Sequence, residues 1–102
     1  MKINFLFSEM YDFLFSLDDI SVGKINKSIG LLEKYGHTIR YPHTKNISAG
    51  IFELRVIGVN NIRIFFIFKN EEAIILHAII KKTQKLTHKD LDYVISLKNK
   101  LY

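Results

Sequence analysis

The feature that most restricts how this chain can fold is an apolar hairpin at residues 50–66, with the sequence GIFELRVIGVNNIRIFF. Two runs rich in β-branched and aromatic residues, 51–57 and 62–68, are joined through Gly-Val-Asn-Asn, whose glycine and asparagines tolerate the positive φ angles of tight turns. A polar Lys-Asn-Glu-Glu turn then leads into a third apolar run at 73–80. Three successive strands with short connections predict an antiparallel meander.

Two arginines, Arg55 and Arg63, occupy the middle of the first two strands. Side chains alternate along a strand, and the apolar positions of both strands should face one core, so paired positions should sum to an even number. Such a register places both arginines on one face as direct or diagonal neighbours; one example pairs 57 with 63 across a three-residue turn at 59–61. Two like charges side by side are unfavourable unless an anion joins them.

Two kinds of anion could join the arginines. Glu53 shares their face, and a salt-bridge ladder on the wet side of a sheet would contribute little stability and carry no function. The alternative is a phosphate clamp, because guanidinium donors match phosphate oxygens. Phe65 between the arginines, with Ile57 and Ile67, makes this face half apolar, as expected of a surface that bases or a partner helix would cover. This composition favours the phosphate clamp.

Helical periodicity and capping residues predict the other elements. Residues 2–7 indicate a strand, Ser8 can cap a first helix, and a second helix begins at Asp18 or Asp19 and ends at Gly36. Residues 37–50, with the only proline, predict a loop. Thr87 and Asp90 are spaced as a capping box for a last helix. The apolar stripes are Val22, Ile25, Ile29, Leu32 and Tyr35 in the second helix and Leu91, Val94, Ile95 and Leu101 in the last.

The predicted order is therefore β-α-α-β-β-β-α, an α+β fold with an antiparallel sheet packed against helices. A chain of 102 residues suffices for one core, so we expect a single domain over 1–102. The absence of cysteine excludes disulfides, thiolate metal sites and a cysteine nucleophile. No apolar run is long enough to span a bilayer and no signal-peptide pattern is found, so we expect a soluble, cytoplasmic protein without a membrane partner.

The positive charge is concentrated in the second part of the chain. Residues 1–40 carry five Lys/Arg and five Asp/Glu, whereas residues 41–102 carry ten and five, which accounts for the whole net charge of +5. The densest stretch, KKTQKLTHK at 81–89, has four lysines and no acid. This asymmetry is typical of a protein with a polyanionic partner, nucleic acid before membrane, although lysine-rich loops are often simply solvated.

The runs YPHTKNISAGIFELR, RIFF and IILHAIIKKTQKLTHKDL occur in an order and spacing that resembles the phage-derived, HigB-like branch of the RelE/HigB superfamily of toxin–antitoxin ribonucleases. The resemblance covers nearly the whole chain and implies a RelE-like fold. It also implies a type II toxin that cleaves mRNA in the ribosomal decoding site without a metal or other cofactor. Its partners would be the ribosome-bound message and a cognate antitoxin, often with a helix-turn-helix part, in an oligomeric complex.

The resemblance also assigns roles by matching position. It implies catalytic roles for five residues: Arg55, Arg63, Lys81, Lys82 and His77. The arginines would stabilise the charge on phosphorus, and one lysine of the pair would be the general base. The residues expected to contact RNA are Lys45, Lys85, Phe65 and His88. Two interpretations without a functional role stay open: His77 as a histidine of the core or sheet edge, and His88 as an exposed helix histidine.

The sequence departs from the family pattern at several positions. Ala78 and Ile79 replace a usual Gly-Phe, and Phe66 stands where a tyrosine hydroxyl, a possible proton donor, is common. Leu86 and Thr87 replace a frequent Thr-Pro, a mild change because threonine caps helices well. Two other functions therefore remain possible on the same fold, a non-catalytic RNA- or ribosome-binding domain and a protein-interaction module whose sheet face binds a partner helix.

Overall fold

A computed structural model describes residues 1–39, 43–48, 50–58, 61–80 and 86–101. Its strands are β1 (Lys2–Phe5), β2 (Thr44–Ser48), β3 (Ile51–Val56), β4 (Ile62–Lys69) and β5 (Glu72–Ile80), and its helices are α1 (Ser8–Phe15), α2 (Asp19–Tyr35) and α3 (His88–Asn99). A short 3-10 turn, Gly36–Thr38, follows α2. The predicted α+β class is confirmed, and a five-stranded sheet packed against three helices is compatible with a RelE-like fold.

The sheet has the strand order β1-β5-β4-β3-β2. The pairs β2–β3, β3–β4 and β4–β5 are antiparallel, which confirms the predicted meander over β3 to β5, whereas β1 pairs in parallel with β5 at one edge. The prediction of a loop over 37–50 was wrong, because its second half contains β2. Among the described residues, the backbone of this polar segment pairs with β3 alone, as an edge strand, so it needs no apolar face of its own. Thr44 is the one buried residue of β2.

The helix ends follow from capping chemistry. The side chain of Asp18 accepts a hydrogen bond from the backbone N–H of Ser21 at 2.9 Å, and Gly36 ends α2 with a φ of 53°, a conformation that favours glycine. The predicted capping box of α3 is confirmed: Thr87 Oγ1 accepts from the backbone N–H of Asp90 at 3.1 Å, and the Asp90 carboxylate accepts from the N–H of Thr87. Ser8 is not the cap of α1, because that helix starts one residue after Phe7 without a side-chain cap.

Each face of the sheet carries its own apolar cluster. One face packs against α1 and α2, with Leu14, Ile25, Leu32, Leu54 and Phe66 among its buried residues. The other face packs against α3 through Ile51, Phe65, Ile67, Leu76, Val94 and Leu97. Tyr35, predicted to belong to the apolar stripe of α2, is 47% exposed. None of the helices in the described ranges is long and apolar enough to cross a membrane.

Candidate functional site

The register of β3 and β4 brings the two arginines together. Arg55 lies directly opposite Arg63, with Leu54 opposite Ile64 and Val56 opposite Ile62. All these pairs sum to an even number, so the prediction that both arginines share a face is confirmed, in its direct-neighbour form. Val56 lies opposite Ile62, so the register given as an example, which pairs 57 with 63, is not the observed one.

Glu53 is the anion that joins the arginines in this structure. Nε of Arg55 donates to Oε1 of Glu53 at 2.6 Å, and Nη1 of Arg63 lies 3.6 Å from Oε2. The side chain of Glu53 is only 1% exposed and that of Arg63 only 6%, whereas that of Arg55 is 26% exposed. The partner considered in the salt-bridge interpretation is therefore present. However, the triad of Glu53, Arg55 and Arg63 is largely desolvated and does not lie on a wet surface. Charge–charge interactions are much stronger in such a desolvated setting than in water.

One oxygen of this carboxylate stays poorly satisfied. Oε2 of Glu53 is buried and accepts no hydrogen bond within the part of the chain that the structure describes. A guanidinium nitrogen at 3.6 Å attracts it electrostatically but lies beyond hydrogen-bond distance. One carboxylate thus faces two guanidinium groups, with a close hydrogen bond from Arg55 and a longer ion pair to Arg63.

These residues line a cleft of about 300 Å³, here called the arginine cleft. Strand β2 contributes one wall, β3 and β4 form the floor, and the beginning of α3 with the residue Leu86 forms the other wall. The lining residues are Lys45, Asn46, Ile47, Glu53, Arg55, Arg63, Leu86 and Leu91. With three cations and one carboxylate, the cleft has an excess of positive charge and suits an anion such as a phosphate group.

Lys45 joins this site through the register of the edge strand. It pairs with Glu53, is exposed, and lines the arginine cleft. Lys45 is predicted to contact the RNA backbone, and it is one of the residues that line the arginine cleft. Asn46, Leu86 and Leu91 were not among the predicted site residues; only their proximity in space, which no local pattern reports, assigns them to the cleft.

Phe65 is a core residue, which corrects the prediction that it contacts RNA. It lies in the same row of the sheet as Glu53, but its ring is under the helix α3, in the cluster with Val94 and Leu97, and the residue is 1% exposed. A ring in this position has no free face on which a base could stack. The prediction failed because strand alternation gives the face of a residue but does not say which helix covers it.

The two predicted histidines lie away from the arginine cleft. His77 pairs with Phe65, so that ring separates it from Glu53 along the row, and its imidazole packs edge-on against Tyr93 with 4.9 Å between centroids. His88 is the exposed first residue of α3. Neither histidine is among the described residues that line the cleft. The position of His77 against Tyr93 of α3 agrees with the interpretation of His77 as a histidine of the core or sheet edge.

His77 is expected to make the protein less stable in mild acid. Burial lowers the pKa of its imidazole below the ordinary 6.5, while the charge of Asp90 opposes that shift. Because the folded-state pKa is the lower one, the unfolded chain binds the proton first as the pH falls. The contribution to the free energy of unfolding is complete above pH 6.5 and is lost as the pH falls through the folded-state pKa.

Urea unfolding between about pH 7.5 and 5 measures this loss. The His77→Gln variant should show a shallower decline of the free energy of unfolding than the wild type, whereas His88→Gln, which changes an exposed histidine, should keep the full decline. An unchanged decline in His77→Gln would assign the acid sensitivity to other groups.

The lysines of the Lys-Lys-Thr segment fall outside the described residues. This applies to Lys81, Lys82 and Lys85, so their predicted roles stay predictions. The described chain on either side is close to the site: Ile79 lies opposite Arg63, and Leu86 lines the arginine cleft.

Phe66, which stands where the resemblance implies a tyrosine, does not line the arginine cleft. Phe66 is fully buried in the cluster beneath α1 and α2, on the face opposite the arginines. A hydroxyl at this position would project into that core and not into the arginine cleft. The side chain at position 66 is therefore not part of the arginine cleft.

The fold and the cleft together define a small basic α+β protein with a cationic cleft on its sheet. The family model for the phage-derived protein Gp49-like family (DUF891) matches residues 12–98, and the chain belongs to this family. That membership is consistent with the toxin of a toxin–antitoxin system in general. No match was found among curated proteins.

Proposed function

We propose that this chain is the toxin of a type II toxin–antitoxin system, of the RelE/HigB kind, and that it cleaves mRNA in the decoding site of the ribosome. The observation that carries the proposal is the pair Arg55 and Arg63, which are direct neighbours on the sheet and share one buried carboxylate at the floor of a cationic cleft. Two guanidinium groups held at fixed positions suit a phosphate that gains negative charge during reaction.

The chemistry is an intramolecular displacement at phosphorus. The ribose 2′-hydroxyl gives its proton to a base while its oxygen bonds to the adjacent phosphorus, and the bond to the 5′-oxygen then breaks as that oxygen takes a proton. The products are a 2′,3′-cyclic phosphate and a free 5′-hydroxyl. Arg63, almost fully buried, and Arg55 would stabilise the extra charge on the phosphoryl oxygens, and Lys45 would hold the RNA backbone at the rim.

Proton transfer is assigned to the lysine segment. Lys81 and Lys82 follow β5, whose residue Ile79 lies opposite Arg63, and one of them would act as the general base. Lys85 would contribute to RNA backbone binding with Lys45. In this mechanism His77 stabilises the packing of α3 and takes no proton from the substrate, because Phe65 separates it from the cleft in the sheet.

Induced expression without an antitoxin tests the function. Wild-type protein should arrest growth, with new 5′ ends inside translated messages, and the Arg55→Ala/Arg63→Ala variant should show neither effect. The matched control, Lys34→Ala/Lys100→Ala, removes two positive charges from exposed positions outside the cleft and should remain toxic. A cognate antitoxin supplied in trans should restore growth.

Two results would contradict the proposal. Intact messages and normal growth with soluble wild-type protein would leave a binding domain, and RNA binding by that protein would then distinguish the RNA-binding alternative from the protein-interaction module. Equal toxicity of the wild type and the double arginine variant, with both proteins folded, would show that the growth arrest does not depend on the arginine cleft.

A further inference from the structure

A second cationic cleft lies on the other side of Arg55, between α2 and the strand ends. It has a volume of about 250 Å³ and is here called the lysine cleft. Its polar lining comes from Lys24, Lys27 and Ser28 of α2, from His43 before β2, and from Arg55 of β3. Leu31, Val56 and Ile57 supply apolar walls, and no acidic residue is among the lining residues that the structure describes.

The α2 side of the lysine cleft is built as a positive surface. Lys24 and Lys27 are three residues apart, so they project from the same side of the helix. Residues 20–32 contain no aspartate or glutamate, so neither lysine has an acidic residue three or four positions away in α2. Within the described chain, none of the ion pairs involves either lysine.

Lys24 is also held at the mouth of the lysine cleft by a contact between distant parts of the chain. Its ammonium group donates to the backbone carbonyl oxygen of Ile57 at 3.0 Å, across 33 residues of sequence. An ammonium group has three donors, so this contact leaves two of them for another acceptor. The contact positions the charge beside the strand end without neutralising it.

Arg55 connects the two clefts, because it lines both of them. A continuous series of cations therefore runs over the protein from Lys45 and Arg63 through Arg55 to Lys24 and Lys27. A single anion would occupy only one cleft. A chain of phosphates joined by flexible sugars would place neighbouring phosphates in both, and the apolar walls of the lysine cleft would accept a sugar or a base.

We propose that the lysine cleft binds the backbone of single-stranded RNA next to the phosphate held by Arg55 and Arg63. The proposal rests on the proposed function in one respect, namely that RNA is the ligand of the arginine cleft. Lysine ammonium groups act as point charges, so this second subsite would hold phosphates of any sequence and orient the message across the arginines.

The salt dependence of RNA binding tests the inference. The full-length protein is titrated into a fluorescein-labelled 12-nucleotide RNA at several salt concentrations, and anisotropy gives the Kd. For the Lys24→Gln/Lys27→Gln variant, the slope of log K against log salt should become less steep by about 1.4, or about 0.7 per lost phosphate contact. Affinity at low salt should fall about tenfold.

Two further variants keep the result interpretable. Lys34→Gln/Lys100→Gln removes the same charge from exposed positions outside both clefts and should leave the slope near that of the wild type. Lys27→Gln alone preserves the contact between Lys24 and Ile57 and should reduce the slope by about half as much as the double change.

The outcomes separate this inference from the proposed function, because mRNA cleavage is measured in parallel. Cleavage by the wild type, with equal slopes for the two double variants, would overturn the second subsite alone. Lysine-dependent RNA binding without any cleavage would support the subsite and overturn the ribonuclease. A wild-type protein that does not bind the RNA would overturn the subsite.

Discussion

Under the proposed ribonuclease function, replacing Arg63 by lysine is expected to slow mRNA cleavage on the ribosome by about 10²-fold or more, although the charge of the site is unchanged. The Arg63 side chain is 6% exposed and faces Arg55 directly, so its planar group is held in one place. A lysine has a single ammonium group on a flexible stem and cannot present two parallel donors to a phosphate. Single-turnover cleavage of a ribosome-bound message measures the effect.

Arg55→Lys is the matched comparison, because it makes the same chemical change one strand away. Arg55 is more exposed and already donates to Glu53, so its replacement should slow cleavage less than that of Arg63. Urea unfolding of both variants shows whether the fold is retained. Wild-type cleavage rates in a folded Arg63→Lys variant would mean that the guanidinium geometry does not stabilise the transition state, and that the cleft needs only charge.

Strand alternation predicted the arginine pair because it is a local property of the chain. Each strand carries its apolar residues at every second position, so any register that buries both apolar sets puts Arg55 and Arg63 on one face. The choice between direct and diagonal neighbours depends on the exact register, and the register given as an example differs from the observed one. The capping box of α3 was predictable for the same reason, since its two residues are three apart.

What the sequence could not reveal is the placement of α3. The apolar stripe of that helix showed that it needs a partner surface, and contacts distant in sequence decide which face of the sheet it covers. Once α3 covers the arginine face, Phe65 is a core residue, Glu53 is desolvated, and the arginine cleft acquires its second wall. The local pattern could give the members of the triad but not their burial, on which the chemistry of the site depends.

Strand β2 was not predicted, for a different physical reason. An edge strand forms hydrogen bonds along one side only, so a polar segment can join a sheet through its backbone without alternating apolar residues. This edge brings Lys45 to the cleft, opposite Glu53. The position of Lys45 in the site therefore follows from backbone pairing, which the side-chain pattern does not report.

The largest effect on stability is expected for Glu53→Gln. This change keeps the shape of the side chain and removes the only negative charge described between the two arginines. Because Glu53 is fully buried and Arg63 nearly so, the loss leaves two guanidinium groups facing each other in a poorly solvated place. Breaking a buried charge network by removing one partner costs about 3–5 kcal/mol, and we expect about 3 kcal/mol here because Arg55 stays partly hydrated.

An added anion should reverse part of this loss in the variant. Sulfate has the charge and the oxygen geometry of a phosphate, and it would bind between the arginines where the carboxylate no longer competes. Sulfate stabilises most proteins by exclusion from their surface, so the wild type in sulfate and both proteins in sodium chloride of equal ionic strength are the controls. The gain in free energy of unfolding from sulfate over chloride should be larger in Glu53→Gln than in the wild type. Equal gains would show that the pair does not bind an oxyanion, and a variant as stable as the wild type would show that the carboxylate is not what holds the arginines together.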